Sequence, residues 1–288
     1  MSTLVEIEIL GSGGAIPTPR ALCGCSVCSE ALEKGPPFSR CGPSYFIHGP
    51  NILIDTPEEI RIQLTRSNIP SIQACFYSHW HPDHVGGRRV FETNLDYAGG
   101  FENNRCTPIY LAPGVARDFR TMPFLRDSFE YMEKQGIVKL VELAEGETVE
   151  FDGCRVTPIQ LALPNMYAFL IETAQGMRTL LAPDEVYEWE PPEHLCEVDL
   201  AIVQIGLFEM DPFTGVRRLP EGFLERIGEM NFEMGLDILR KLRAKRAILS
   251  HLEEPEGMSH SRYKELEERL APTGLNVSFA YDMQKIAL

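Results

Sequence analysis

The 288 residues, 44% of them hydrophobic, are enough to bury a sizeable core, and one domain over residues 1–288 is expected. A formal charge of −15 argues against a surface that tracks nucleic-acid backbone or an anionic membrane. No apolar run reaches the ~18 residues that span a bilayer, and "MSTLVEIEIL" lacks the basic start and apolar core of a signal peptide, so a cytoplasmic protein is expected.

In chain order, "VEIEIL" alternates as a strand and enters the glycine-rich turn "GSGG", after which Cys23 to Cys41 reads as irregular, with a Cys-rich loop over about 20–42. "YFIHGPNILIDT" reads as a hairpin, "EEIRIQLTRS" as a helix, and "IQACFYS" as a short buried strand. "TPIYLAP" is a strand, and residues 114–136 form a helical insertion broken at Pro123. "KLVEL", "TVEFDG", "RVTPIQLAL", "YAFLIET" and "RTLLAPD" read as successive strands joined by tight turns. Then follow the strand "DLAIVQI", the amphipathic helix "FEMGLDILRKLRA", the strand "RAILSH", the helix "SRYKELEERL" and a final strand in "NVSFAYD". Two hairpins, "YFIHGPNILIDT" and "FLIETAQGMRTLLAPD", both end in an aspartate and precede a buried strand, which suggests a duplicated sheet-plus-helices unit. Of the cysteines outside the Cys-rich loop, Cys75, Cys106, Cys154 and Cys196 read as small buried hydrophobes.

Three histidines and a carboxylate fall within "SHWHPDHVGG". Pro82 cannot lie inside a helix, and residues two apart on a helix point to different faces, so His79 and His81 meet only on an extended strand end or loop. Asp83 and His84, entering the next helix, can then face a second position beside the first. Imidazole and carboxylate at this spacing suit a pair of Zn²⁺, Fe or Mn²⁺ ions able to activate water and stabilise the oxygens of a displacement. A second cluster, Cys23, Cys25 and Cys28 in "LCGCSVCSEA", offers three thiolates to one tetrahedral Zn²⁺.

"SHWHPDHVGG" resembles the HxHxDH signature of the metallo-β-lactamase superfamily, and the glycine turn, the aspartate-ending hairpins and a late histidine extend the likeness over essentially the whole chain. The resemblance implies an αββα sandwich, an α/β fold of two packed mixed sheets flanked by helices, with a metal site at the edge between the sheets. It implies that Asp184 in "TLLAPDEV" bridges two ions and that His251 in "RAILSHLEE" completes the ligand set His79, His81, Asp83, His84, Asp184 and His251. It also implies that Asp55 in "ILIDTPEE" supports the metal-binding loop through hydrogen bonds. The family's mid-chain histidine is missing: its position is Leu163, beside Pro164 and Asn165. The first position should therefore be weakened, solvated or empty, with Asn165 as a weaker oxygen donor, while the second position, Asp83, His84, Asp184 and His251, should hold an ion firmly.

The glycine turn followed by CxCxxC is similar to superfamily members of the phosphoribosyl cyclic phosphate phosphodiesterase and coenzyme PQQ biosynthesis protein B types. In the former type the fourth ligand of the Cys-rich zinc is a histidine three residues after the late histidine, a position that is Glu254 here, so Glu254, His260 and Cys41 are the alternatives. Where phosphodiesterase members carry a histidine near the scissile phosphate, this chain has Glu229, which also reads as the solvated start of a helix.

The resemblance implies a metal-dependent hydrolase, a phosphodiesterase acting on a small cyclic or nucleotide-like phosphodiester through a metal-bound hydroxide, with Asp83 positioning the water. Zn²⁺ is expected in the Cys-rich site and the active site, with Mn²⁺ or Fe as alternatives in the latter. A homodimer is an expected assembly. The other reading is a divergent member with little hydrolytic activity that binds a ligand or assists a biosynthetic pathway.

Overall fold

A computed structural model describes residues 5–288. The first half contains β1 (Glu6–Gly11), α1 (Ser26–Lys34), β2 (Ser44–His48), β3 (Ile52–Ile54), α2 (Ile60–Arg66), β4 (Ala74–Phe76), the single-turn α3 (Pro82–Val85) and β5 (Thr107–Leu111). Next come α4 (Pro113–Thr121), α5 (Pro123–Lys134) and β6 (Val138–Glu142). The second half runs through β7 (Val149–Phe151), β8 (Cys154–Gln160), β9 (Tyr167–Thr173), β10 (Arg178–Ala182) and β11 (Leu200–Gln204). It closes with α6 (Phe223–Ile227), α7 (Phe232–Leu242), β12 (Ala247–Ser250), α8 (His260–Leu270), β13 (Val277–Phe279) and β14 (Gln284–Ala287).

The strands form two seven-stranded sheets, β14-β1-β2-β3-β4-β5-β6 and β7-β8-β9-β10-β11-β12-β13. In those orders each sheet makes three antiparallel pairings followed by three parallel ones. The duplication suggested by the two aspartate-ending hairpins is thus a duplication of strand direction. β3 corresponds to β10, β4 to β11 and β5 to β12.

Alternation along the strands builds three apolar layers. Ile7, Ile9, Tyr45 and Ile47 of one sheet meet Phe169, Ile171, Ile202 and Ile248 of the other between the sheets. Phe46 and Leu53 face outward under α4 and α5, which contribute Val115, Phe119, Leu125 and Phe129. On the opposite outer face Ala168, Leu170, Ala201 and Val203 pack against Leu236 and Leu239 of α7 and Leu266 of α8. β11 and β12, covered on both faces, are buried at every residue, as central parallel strands are.

Three sequence expectations change. The stretch Cys23–Cys41 is not wholly irregular, because Cys25 caps α1, its sulfur accepting from the Cys28 N–H at 3.4 Å. The final strand is β14, paired with β1, rather than the one in "NVSFAYD". Cys106 is exposed, unlike Cys75, Cys154 and Cys196. The helical insertion is two helices: Pro123 takes the first turn of α5, where its missing N–H costs nothing. Among the described residues no helix is long and apolar enough to cross a membrane.

Candidate metal centre

The centre is built where strands of both sheets end. β4 runs through Tyr77 and Ser78 into His79, and His81 takes the N-cap position of α3, whose single turn carries Asp83 and His84. From the other sheet, Asp184 follows β10 and His251 follows β12 directly. Strand ends at the carboxyl edge of parallel pairings are where such folds place their ligands. The backbone is bent to do so: Asp55, Glu185 and His251 all lie in the left-handed region, with φ of 62°, 58° and 62°. Non-glycine residues adopt it only where the surroundings enforce it, and functional sites concentrate such positions.

His84 Nε2 lies 3.4 Å from Asp83 Oδ2 and 3.6 Å from Asp184 Oδ2. His251 Nε2 lies 3.5 Å and 3.4 Å from the same two oxygens. His79 Nε2 is 3.6 Å from Asp184 Oδ2, and His81 Nδ1 is 3.4 Å from Glu185 Oε1. Asp83, His84, Asp184 and His251 can present ligand atoms that all fall within 4.8 Å of one another, and so can His79, His81, Asp184 and Glu185. The structure therefore gathers all six predicted ligands.

The atoms facing this space fit divalent cations. His79 Nε2, His84 Nε2, His251 Nε2 and Asp83 Oδ2 are buried without a hydrogen-bond partner. Orphaned buried polar atoms are costly, and four aimed at one space are explained by ions. The opposite sides of the rings are occupied. Asp55, wholly buried, accepts from the Ser78 N–H at 2.8 Å and from Ser78 Oγ at 2.7 Å, and its Oδ2 stands 2.8 Å from His84 Nδ1. That contact fixes the His84 ring so that Nε2 faces the centre.

Electrostatics follow from this crowding. Burial opposes ionisation of Asp83 and Asp184, but the neighbouring histidines hold both carboxyls well below their usual range. Burial likewise opposes charge on His251, yet Asp184, Asp83 and Glu253 raise it to about 9. His79, buried beside His84, is driven well down. Burial and the Asp184 charge push Glu185 and Glu229 up to about 7.

Leu163 and Asn165 do not serve the centre. Their loop is seated on α4, where a Cβ on Gly114 would come within 1.9 Å of the Pro164 carbonyl oxygen. Asn165 donates to Asp118 at 2.8 Å, and Leu163 is 48% exposed. Asn165 is therefore withdrawn as an oxygen donor. Glu229 is not a solvated helix start: Asn231 caps α7 instead, and Glu229 is half-buried in the wall of a cavity it shares with His251. That cavity, about 490 Å³, is lined by apolar groups including Ile16, Leu207, Phe208, Leu219, Phe223 and Ile227. Arg218 also lines it and lies 3.4 Å from Glu256. Glu185 went unpredicted; its only signal was its place immediately after Asp184.

The second cluster assembles as well. Glu254 Oε1 lies 3.5, 3.4 and 3.0 Å from the sulfurs of Cys23, Cys25 and Cys28. Of the three fourth-ligand alternatives only Glu254 reaches the thiols. His260 packs against Phe38 and Tyr281, and Cys41 lies beside Asp282. Burial pushes the Cys28 thiol up to about 12. The two clusters are joined by the run His251–Glu254. Gly14 crosses this run where a Cβ would meet Glu253 Oε1 at 2.2 Å and His251 Nδ1 at 2.6 Å, so only glycine fits. The N–H groups of Ala15 and Ile16 donate to the Glu253 carboxylate at 2.8 and 2.9 Å.

Residues 50–252 match the family model described as a Beta-lactamase superfamily domain. No curated protein sequence matches the chain. Among solved structures it is similar to a diphosphatase from the PhnP family, with 22% identity, TM-score 0.70, and 99% of this chain and 98% of that one covered. It is also similar to Zn²⁺-bound PqqB from Methylobacterium extorquens, at 19% identity, TM-score 0.68 and 98% and 100% coverage. Human tRNase Z, short form, aligns at 18% identity and TM-score 0.62, with 98% of each chain covered.

Proposed function

Starting from a chain that belongs to the beta-lactamase superfamily, we propose that it is a metal-dependent hydrolase of a small phosphodiester. The observation that carries this reading is the set of four buried, unpartnered ligand atoms of His79, Asp83, His84 and His251, the last of which also lines a cavity of small-molecule size. His79, His81, Asp83, His84, Asp184 and His251 would hold the ions. When bound, these supply an activated water and charge stabilisation for a displacement at phosphorus. Asp83 holds its carboxylate ionised beside the reacting space and orients the attacking water. Asp55 keeps the His84 ring in its tautomer and angle. The apolar cavity wall receives the organic part of the ester, and the Arg218 guanidinium in that wall meets an anionic oxygen.

The relatives named as a diphosphatase and a tRNase Z support the reaction class. Cys23, Cys25, Cys28 and Glu254 would hold a structural Zn²⁺, a reading supported by the S₃O donor set. Eight free cysteines support a reducing, cytoplasmic setting. Glu229 favours a second reading, a ligand-binding member with little turnover, because a carboxylate in the cavity wall repels an anionic ester. Turnover of bis(p-nitrophenyl) phosphate with added Mn²⁺ or Zn²⁺, lost in His84→Ala, is the expected result. No metal-dependent turnover across a panel of phosphodiesters would replace the first reading with the second.

A further inference from the structure

The first metal position lacks its mid-chain histidine, and the loop that should carry one is turned onto α4. Yet the space is not short of a ligand. Glu185 Oε1 stands 3.4 Å from His81 Nδ1, and its carboxylate joins His79, His81 and Asp184 in a group whose ligand atoms lie within 4.8 Å of one another. Its backbone is in the left-handed region, φ 58°, next to Asp184. Two adjacent carboxylates, both turned into a half-buried space whose other walls are imidazoles, repel each other unless a cation lies between them.

We propose that Glu185 replaces the missing histidine as the fourth ligand of the first position. The centre then holds two divalent ions, each in a set of two imidazoles and two carboxylates with Asp184 shared. Three carboxylates against two divalent ions leave one net positive charge at the ligands, where a histidine would leave two. Carboxylate oxygen suits Mn²⁺ better than imidazole does, so exchanging one imidazole for carboxylate shifts the first position's relative preference away from Zn²⁺ and toward Mn²⁺ or Fe²⁺.

The inference rests on the centre holding metal and not on phosphodiester turnover, so it is tested without substrate. Purified protein is loaded with Mn²⁺ or Zn²⁺, dialysed, and its metal content and dissociation constants are measured. About three Zn²⁺ ions per chain are expected, two in the centre and one in the Cys-rich site. Glu185→Ala and the isosteric Glu185→Gln should each lose one ion at moderate metal concentration, weakening it at least tenfold by analogy with losses seen even for outer-shell partners. Glu185→His should restore the ion and move the Zn²⁺ to Mn²⁺ affinity ratio toward Zn²⁺. The exchange interaction between paired Mn²⁺ ions, seen by electron paramagnetic resonance, should vanish in Glu185→Gln and persist in the parent. Only one Zn²⁺ in the centre of the parent protein, two per chain in all with the Cys-rich site, or an unchanged second ion in the centre of a folded Glu185→Gln, would overturn the assignment and leave Glu185 as a neighbour of His81 without a metal role.

Discussion

The Cys-rich cluster and the His/Asp centre use four-ligand sets of similar size but opposite construction. Three of the cysteine cluster's ligands come from six consecutive residues, with Cys25 exposed and Cys23 half-buried, and only Glu254 arrives from afar. The centre draws its ligands from the ends of three strands in two sheets, and its facing atoms are buried. A local cluster can stabilise a loop that has little core of its own, whereas a ligand set gathered across sheets is held by the fold itself and can be kept open for a reacting group. On the proposed function one cluster fastens and the other reacts.

The sharpest way to break this division is Asp184→Ala. Asp184 faces His79, His84 and His251, so its loss should deplete the centre of metal and lower metal-dependent turnover ~1000-fold while leaving the Cys-rich zinc in place. Metal analysis and rate measured on the same sample decide it, and loss of the Cys-rich zinc as well would show that the two clusters are not independent. Next, Asp55→Asn keeps the shape but removes the charge that accepts from Ser78 and orients His84. Such outer partners are worth roughly 10- to 100-fold in metal affinity, and an affinity within twofold of the parent would remove Asp55 from that role.

Cys25→Ser should release about one zinc per chain and lower the melting temperature by roughly 10 °C, while turnover at 25 °C falls only ~3-fold. A fall as deep as that of Asp184→Ala would erase the contrast between fastening and reacting.

The smallest effect concerns protons. In the ion-free protein His251 titrates near 9, above the unfolded value of about 6.5, so the folded state keeps a proton that the unfolded chain releases. This contribution is complete below the unfolded pKa and is lost as pH rises through the folded one. Chelated protein should therefore melt roughly 5 °C lower at pH 9 than at pH 6.5. Over the same window affinity for metal in the centre should climb, because binding displaces that proton. An affinity flat with pH would argue that His251 is not a ligand.

Much of this was legible before the fold was known, and for a physical reason. The run from His79 to His84 is local, so its offsets alone dictate an extended stretch entering a helix. Asp184 and His251 were legible only through the family resemblance, which picks out a hairpin-ending aspartate and a strand-ending histidine. Asp55 and Asp184 follow corresponding strands of the two sheets, one buried behind the histidines and the other facing them. Glu185 was not legible, because its role depends on a backbone turn at positive φ and on where the loop of Leu163 packs, both long-range outcomes. Glu229 was misjudged for the same reason: capping preference assigns a glutamate to a helix start, but Asn231 caps α7 and the cavity takes the glutamate.

The run His251–Glu254 is also a ruler. Leu252 donates its N–H to the Ser12 carbonyl at 2.9 Å and Glu254 donates to that of Ile16 at 3.0 Å, so the segment lies zipped along the first turn of the chain. Three residues span at most ~10 Å, which fixes the separation of the two ligand sets. Loops elsewhere can lengthen freely, but a single alanine inserted after Leu252 must turn either His251 or Glu254 away from its partners. Such an insertion should empty at least one of the two clusters, while the same residue placed after Gly274, in an exposed turn, should empty neither when metal content is measured.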